Sequence, residues 1–162
     1  MAWDRNSANY PRPVAQFDQT ACWAAGLEWW LRCMRASRAV SNQLNLVNQF
    51  VEYWNHNEDD PEYGTIDGNG LGHIMDDGRI RMDYVVKAHG SWDAAFVNSK
   101  LPLSPILIGY NETEVGGFHV NIIHSTNATG PDVNVMDPNG GRFRTRSHSN
   151  FATANYVLGW AR

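Results

Sequence analysis

Between Gln16 and Met34 the chain reads QFDQTACWAAGLEWWLRCM, and this stretch constrains the fold more than any other. Trp23, Leu27, Trp30, Leu31 and Met34 recur at i, i+4, i+7, i+8 and i+11, the apolar stripe of an amphipathic helix. A stripe carrying two tryptophans must be covered, so the helix is expected to lie in the core. Asp18 or Thr20 is the candidate N-cap. Cys22 then falls in the first turn, beside the stripe, and Gly26 leaves the flank one turn on free of bulk.

The whole 162-residue chain is apolar enough, at 43%, to cover it within one domain, and its seven Trp, six Tyr and six Phe supply large buried area without disulfides. A net charge of −4, with basic residues scattered apart from RFRTR, argues against nucleic acid as a partner. MAWDRNSANYPRP has no apolar run, so no signal peptide is expected, and no window approaches a membrane span. Cys33 lies eleven residues from Cys22; on one helix this is about 16 Å, beyond disulfide reach. Two separate free thiols are expected.

Residues 1–13 read as an extended, weakly structured arm, residues 14–78 as a mainly helical lobe, and residues 79–162 as a mainly β lobe. A second helix is expected from Ser41, its N-cap, to Trp54, with Leu44, Val47, Val51 and Trp54 inward. The acidic, Gly-rich stretch after it is a loop; Asp67-Gly68-Asn69-Gly70 lacks the spaced carboxylates of a calcium loop and reads as a turn. No metal or cofactor is expected. A short helix spans Leu71 to Asp77 with Gly78 as C-cap, and Ile80 to Val86 alternates as a strand. SWDAAFV, capped by Ser91, makes one or two helical turns. Strands follow at 105–110, 118–124, 133–136, 142–146 and 156–161, with turns at 125–132 and 137–141. Helices first and an antiparallel run of strands afterwards make an α+β plan.

A thiol in the first turn of a helix sits where unsatisfied N–H groups and the helix dipole favour the thiolate, its reactive form. The ordinary role of a lone cysteine is a small buried hydrophobe, so its neighbours decide. Its own N–H, with an amide from Gln16 or Gln19, would stabilise an oxyanion. Among six histidines, His56, His73 and His89 read as solvated loop residues and His148 lies in a polar segment. His119 opens an apolar strand after Gly116-Gly117, and His124, five residues on, points to the opposite face. His119 is therefore the candidate base. Asp137, at the end of the next strand, is the candidate orienting acceptor, with Asn139 as the second choice.

Gln16-x5-Cys22-Trp23-Ala24-Ala25, Gly117-Phe118-His119-Val120 and Val135-Met136-Asp137-Pro138 together resemble, in order and spacing, the papain-like cysteine proteases. The chain looks closest to their compact bacterial branch of bacteriocin-processing peptidase domains and effector or toxin proteases. The resemblance covers about residues 14 to 160, with the excursion at 55–72 matching loosely. It implies a helical lobe packed on an antiparallel sheet lobe, with Cys22 as nucleophile and His119 as general base and acid. It further implies Asp137 as orienter, where classical papains have Asn, and Gln16 with the Cys22 N–H as the oxyanion hole. The absence of papain's disulfides suits a reducing cytosol.

The function expected on these grounds is a cysteine endopeptidase acting on protein or peptide, cytosolic or delivered into a target cell as an effector or toxin. An inhibitor or immunity protein is the expected partner, since nothing in the chain reads as a restraining pro-segment. The same residues would serve a glutamine deamidase or a peptidoglycan amidase, and the fold also accommodates a non-enzymatic binding module. Trp23, Trp92, Tyr110 and the loop 111–117 are the candidate cleft walls.

Overall fold

A computed structural model describes residues 3–127 and 130–162. Helices α1 (Cys22–Cys33), α2 (Gln43–Gln49) and α3 (Gly68–Asp76) precede β1 (Met82–Lys87); α4 (Ala94–Lys100) follows, then β2 (Ile106–Glu112), β3 (Gly117–Thr126), β4 (Asp132–Asp137), β5 (Arg142–Ser147) and β6 (Tyr156–Ala161). The strands form one six-stranded sheet in the order β1-β6-β2-β3-β4-β5, every pairing antiparallel. This is the expected α+β plan. The tip of the 125–132 turn, at 128–129, lies outside the described residues, as do the first two residues of the arm.

Two cores flank the sheet. On one face α1, α2 and α3 pack over Leu107, Val120, Ile122, Met136 and Val157; on the other, Val97 and Leu101 of the α4 segment and Phe151 cover Ile106, Ile108, Ile123 and Leu158. Helix α1 is buried all round from Cys22 to Leu31, not along one stripe, because the sheet, α2 and the N-terminal segment enclose it. Its indoles satisfy their N–H groups on backbone: Trp29 donates to Pro11 O at 3.0 Å and Trp30 to Pro105 O at 2.9 Å. Gly26 has a specific task, since a Cβ there would stand 3.0 Å from Val120 Cγ1, so glycine sets how closely α1 approaches β3. Buried Glu28 pairs with Arg32 and accepts the Gln43 N–H at 2.7 Å, fixing the start of α2 against α1.

Several local expectations are corrected. The N-terminal arm is docked, not loose: Trp3 is buried, donates to Leu101 O at 2.6 Å and stacks on Tyr10. The second helix starts one residue late and stops early, because the Asn42 side chain, not Ser41, caps it, and Val51–Tyr53 tightens into a 3-10 turn. Leu46 and Phe50 are its fully buried residues, Val47 and Trp54 pack half-buried against the core as expected, and Leu44 and Val51 are exposed. Asp67-Gly68-Asn69-Gly70 is the start of α3, with Asp67 Oδ1 accepting the Gly70 N–H at 2.7 Å. A good cap here outweighs the poor helix propensity of glycine. Asp77, not Gly78, ends that helix, and Asp93, not Ser91, caps α4. Ala21 is the N-cap position of α1, while Asp18 Oδ1 takes the N–H groups of Thr20 and Ala21 just before it.

Under the β2–β3 hairpin lies a buried polar network that the sequence did not announce. Glu112 and Arg146 form an ion pair with both side chains almost wholly buried. The Tyr110 hydroxyl donates to Glu112 Oε2 at 2.6 Å and accepts from Arg146 Nη1 at 2.8 Å. Removing one member of such a pair leaves the other charge stranded. Arg146→Met is therefore expected to cost about 3–5 kcal/mol in urea denaturation, and adding Glu112→Leu to recover much of that loss. A double variant no more stable than the single one would refute this account of the pair.

Candidate functional site

The start of α1 and the start of β3 meet at a cavity of about 880 Å³. Cys22, His119, Gln16, Gln19 and Asn139 all line it. The approach of α1 to β3 that Gly26 permits brings the first residue of the helix to the strand bearing His119. Both Cys22 and His119 are buried side chains at this cavity wall.

His119 is held from behind. The β3–β4 register pairs Ile122 with Met136, which sets Asp137 within diagonal reach of His119. His119 Nε2 and Asp137 Oδ1 lie 2.9 Å apart, both side chains almost fully buried. With Nε2 engaged as the donor to this carboxylate, Nδ1 is the ring nitrogen left for proton exchange with Cys22. Burial works against a charged imidazole here, but the Asp137 carboxylate and the adjacent Cys22 side chain outweigh it and raise His119 from an ordinary 6.5 to about 9.

Asp137 itself stays ionised despite burial. Burial would raise its carboxyl, yet the bonds from His119, from the Asn139 N–H at 3.0 Å and from Arg144 Nη1 at 3.1 Å hold it below the usual carboxylate range. Asn139 thus contributes its backbone to Asp137 and does not take the orienter's place beside His119.

Gln16 and Gln19 both line the cavity, but they differ in how they are held. Gln16 Nε2 donates one hydrogen to Asp18 O at 2.7 Å, which leaves its second N–H; its Oε1 is buried without a partner among the described residues. Its backbone N–H donates to Pro138 O at 3.0 Å, tying the segment before Cys22 to the residue after Asp137. Gln19 is exposed. No acceptor among the described residues takes the Cys22 backbone N–H, the first helical amide after the two that Asp18 engages.

The other histidines stand apart. His124 lies in an aromatic cluster with Tyr10, Trp29 and Phe143, where burial pushes its pKa down to about 4. His56, His73 and His89 are exposed, and His148 packs beside Trp92. Cys33 is a free thiol like Cys22, and burial pushes its pKa far up.

Of the expected cleft walls, Trp23, Trp92 and Tyr110 are packing residues that do not line the cavity, whereas Glu114 to Gly117 do. The opposite wall is the excursion, through Pro61, Glu62 and Thr65 to Gly68. Nothing periodic marks those residues as a wall. Reciprocal backbone bonds between Asn55 and the Gly64–Thr65 pair shape the excursion. Gly64, at φ +87°, seats it against the approach to α1, since a Cβ there would fall 2.4 Å from Thr20 Oγ1.

The raised His119 value fixes the sign of a stability effect. Its contribution is complete below about pH 6.5 and is lost as pH rises through about 9. Asp137→Asn removes the carboxylate behind it, so the variant's urea midpoint should change less over that window than the wild-type midpoint; an unchanged slope would contradict the assignment.

Neither protein-family models nor curated proteins yield a match to the chain.

Proposed function

We propose that the chain is a cysteine endopeptidase of papain-like fold, with Cys22 as nucleophile, His119 as base and acid, Asp137 as orienter and Gln16 with the Cys22 N–H as oxyanion hole. The observation that carries this reading is a cavity lined by a helix-initiating cysteine and by a buried histidine whose far nitrogen engages a buried aspartate. Such a pairing gives a thiolate an imidazolium partner before substrate arrives.

In the proposed cycle, Cys22 Sγ attacks a peptide carbonyl carbon, forming a C–S bond while the carbonyl π electrons move onto oxygen. That oxyanion is met by the Cys22 N–H and the free N–H of the Gln16 amide. As the intermediate collapses, the C–N bond breaks and His119 Nδ1 gives its proton to the departing amine. His119 then takes a proton from water, whose oxygen attacks the thioester. Release of the carboxylic acid product restores the thiolate and, with the proton retained on His119, the imidazolium.

Comparison of new protein N-termini in a lysate exposed to wild type or to Cys22→Ala tests the activity. Wild-type-dependent termini are expected; ammonia release without new termini would indicate a deamidase instead. Gln16→Ala should slow turnover by roughly 10²–10³-fold without abolishing it. Iodoacetamide at neutral pH should label Cys22 in a rapid burst that survives Cys33→Ala, because Cys33, though the less buried of the two thiols, has its pKa pushed far up by desolvation. Equal slow labelling of both cysteines would sink the nucleophile assignment.

A further inference from the structure

Two arginines and two glutamates, each pair spaced by two residues, face one another across the back of the site. On β5, Arg146 pairs with Glu112 and Arg144 pairs with Glu114, so the end of β2 and the turn after it are joined to β5 by two charged rungs. The inner rung is buried and closed on itself through Tyr110. The outer rung is different. Arg144 Nη1 lies 3.2 Å from Glu114 Oε2 and 3.1 Å from Asp137 Oδ2, while Nη2 reaches Glu114 Oε1 at 3.3 Å. Glu114 belongs to the cavity wall, and Asp137 is the carboxylate behind His119.

We infer that Arg144 is a positioning residue for the active pair: its guanidinium fixes the Asp137 carboxylate and links it to the Glu114 wall of the cavity. This rests on the reading of Cys22 and His119 given above. Asp137 has two oxygens, and each has a defined partner. Oδ1 takes His119 and the Asn139 N–H, and Oδ2 takes Arg144. A carboxylate held at both oxygens cannot rotate away from the imidazole, and the Arg144 cation adds to the bonds from His119 and the Asn139 N–H that keep it ionised against burial. A lysine in this position would offer a point charge without the planar fork that spans two carboxylates at once.

The test reads both ends of the linkage in full-length protein. The Asp137 carboxyl is titrated by carbon-13 NMR, and the rate of Cys22 alkylation by iodoacetamide is followed against pH by mass spectrometry. In Arg144→Met the Asp137 carboxyl should titrate about one unit higher, and the acid limb of alkylation should move with it, giving a roughly tenfold lower rate on that limb. Arg144→Lys should fall between this variant and wild type, and exposed Arg142→Met, which makes the same change in net charge, should keep the wild-type profile. If Arg144→Met does not fold, Arg144→Gln replaces it with the same expected direction. An Asp137 titration unchanged on loss of the Arg144 charge overturns the inference, as does a shift equalled by Arg142→Met. A shifted carboxyl in a protein whose Cys22 reacts like an ordinary thiol would instead overturn the endopeptidase reading and leave the Arg144–Asp137 linkage standing.

Discussion

The seating of α1 on β3 is the contact on which the remainder of this molecule depends. Its closeness is set where Gly26 meets Val120, and its rigidity by two indoles anchored to backbone carbonyls on either side. A side chain larger than hydrogen at Gly26 would lift the helix off the sheet or force Val120 aside. Because Cys22 starts this helix, any such displacement would be transmitted to the distance between the thiol and His119. Core packing and site geometry are thus one problem here, solved by one interface.

Much of the frame was legible in the chain. The Trp-rich stripe identified α1, and the final strand, Tyr156–Ala161, was readable to the residue because its apolar run lies between polar Asn155 and Arg162. Cys22, His119 and Asp137 were legible as candidates because each sits near an element boundary, a helix start, a strand start and a strand end; the first two line the cavity and Asp137 stands behind His119. The misreadings have local causes. Leu44 and Val51 satisfy a helical period yet point outward, since the Asn42 cap and the 3-10 turn shift the register by which Leu46 and Phe50 turn inward. The glycines after Asp67 concealed a helix that its cap suffices to start.

Arg144 and the 61–68 wall were not legible at all. An arginine in RFRTR looks like any solvated β-strand charge, and only the tertiary pairing of β4 with β5 puts it against a carboxylate that burial would otherwise neutralise. The excursion has no period because its shape comes from a few backbone bonds and from the contact of Gly64 with Thr20, none of which leaves a pattern in sequence.

The bond from the Gln16 N–H to Pro138 O carries a consequence for the order in which the molecule is made. It joins the segment that introduces the thiol to the residue following the carboxylate that steadies the imidazole, and more than a hundred residues separate them in the chain. During synthesis, at about 5–20 residues per second, the cysteine leaves the ribosome several seconds before either partner exists. A nascent or truncated chain therefore carries Cys22 without His119 and Asp137, and the N-terminal helices alone cannot assemble the cavity they share with β3. Completion of β4 is the step at which the two ends of the site are first clasped together.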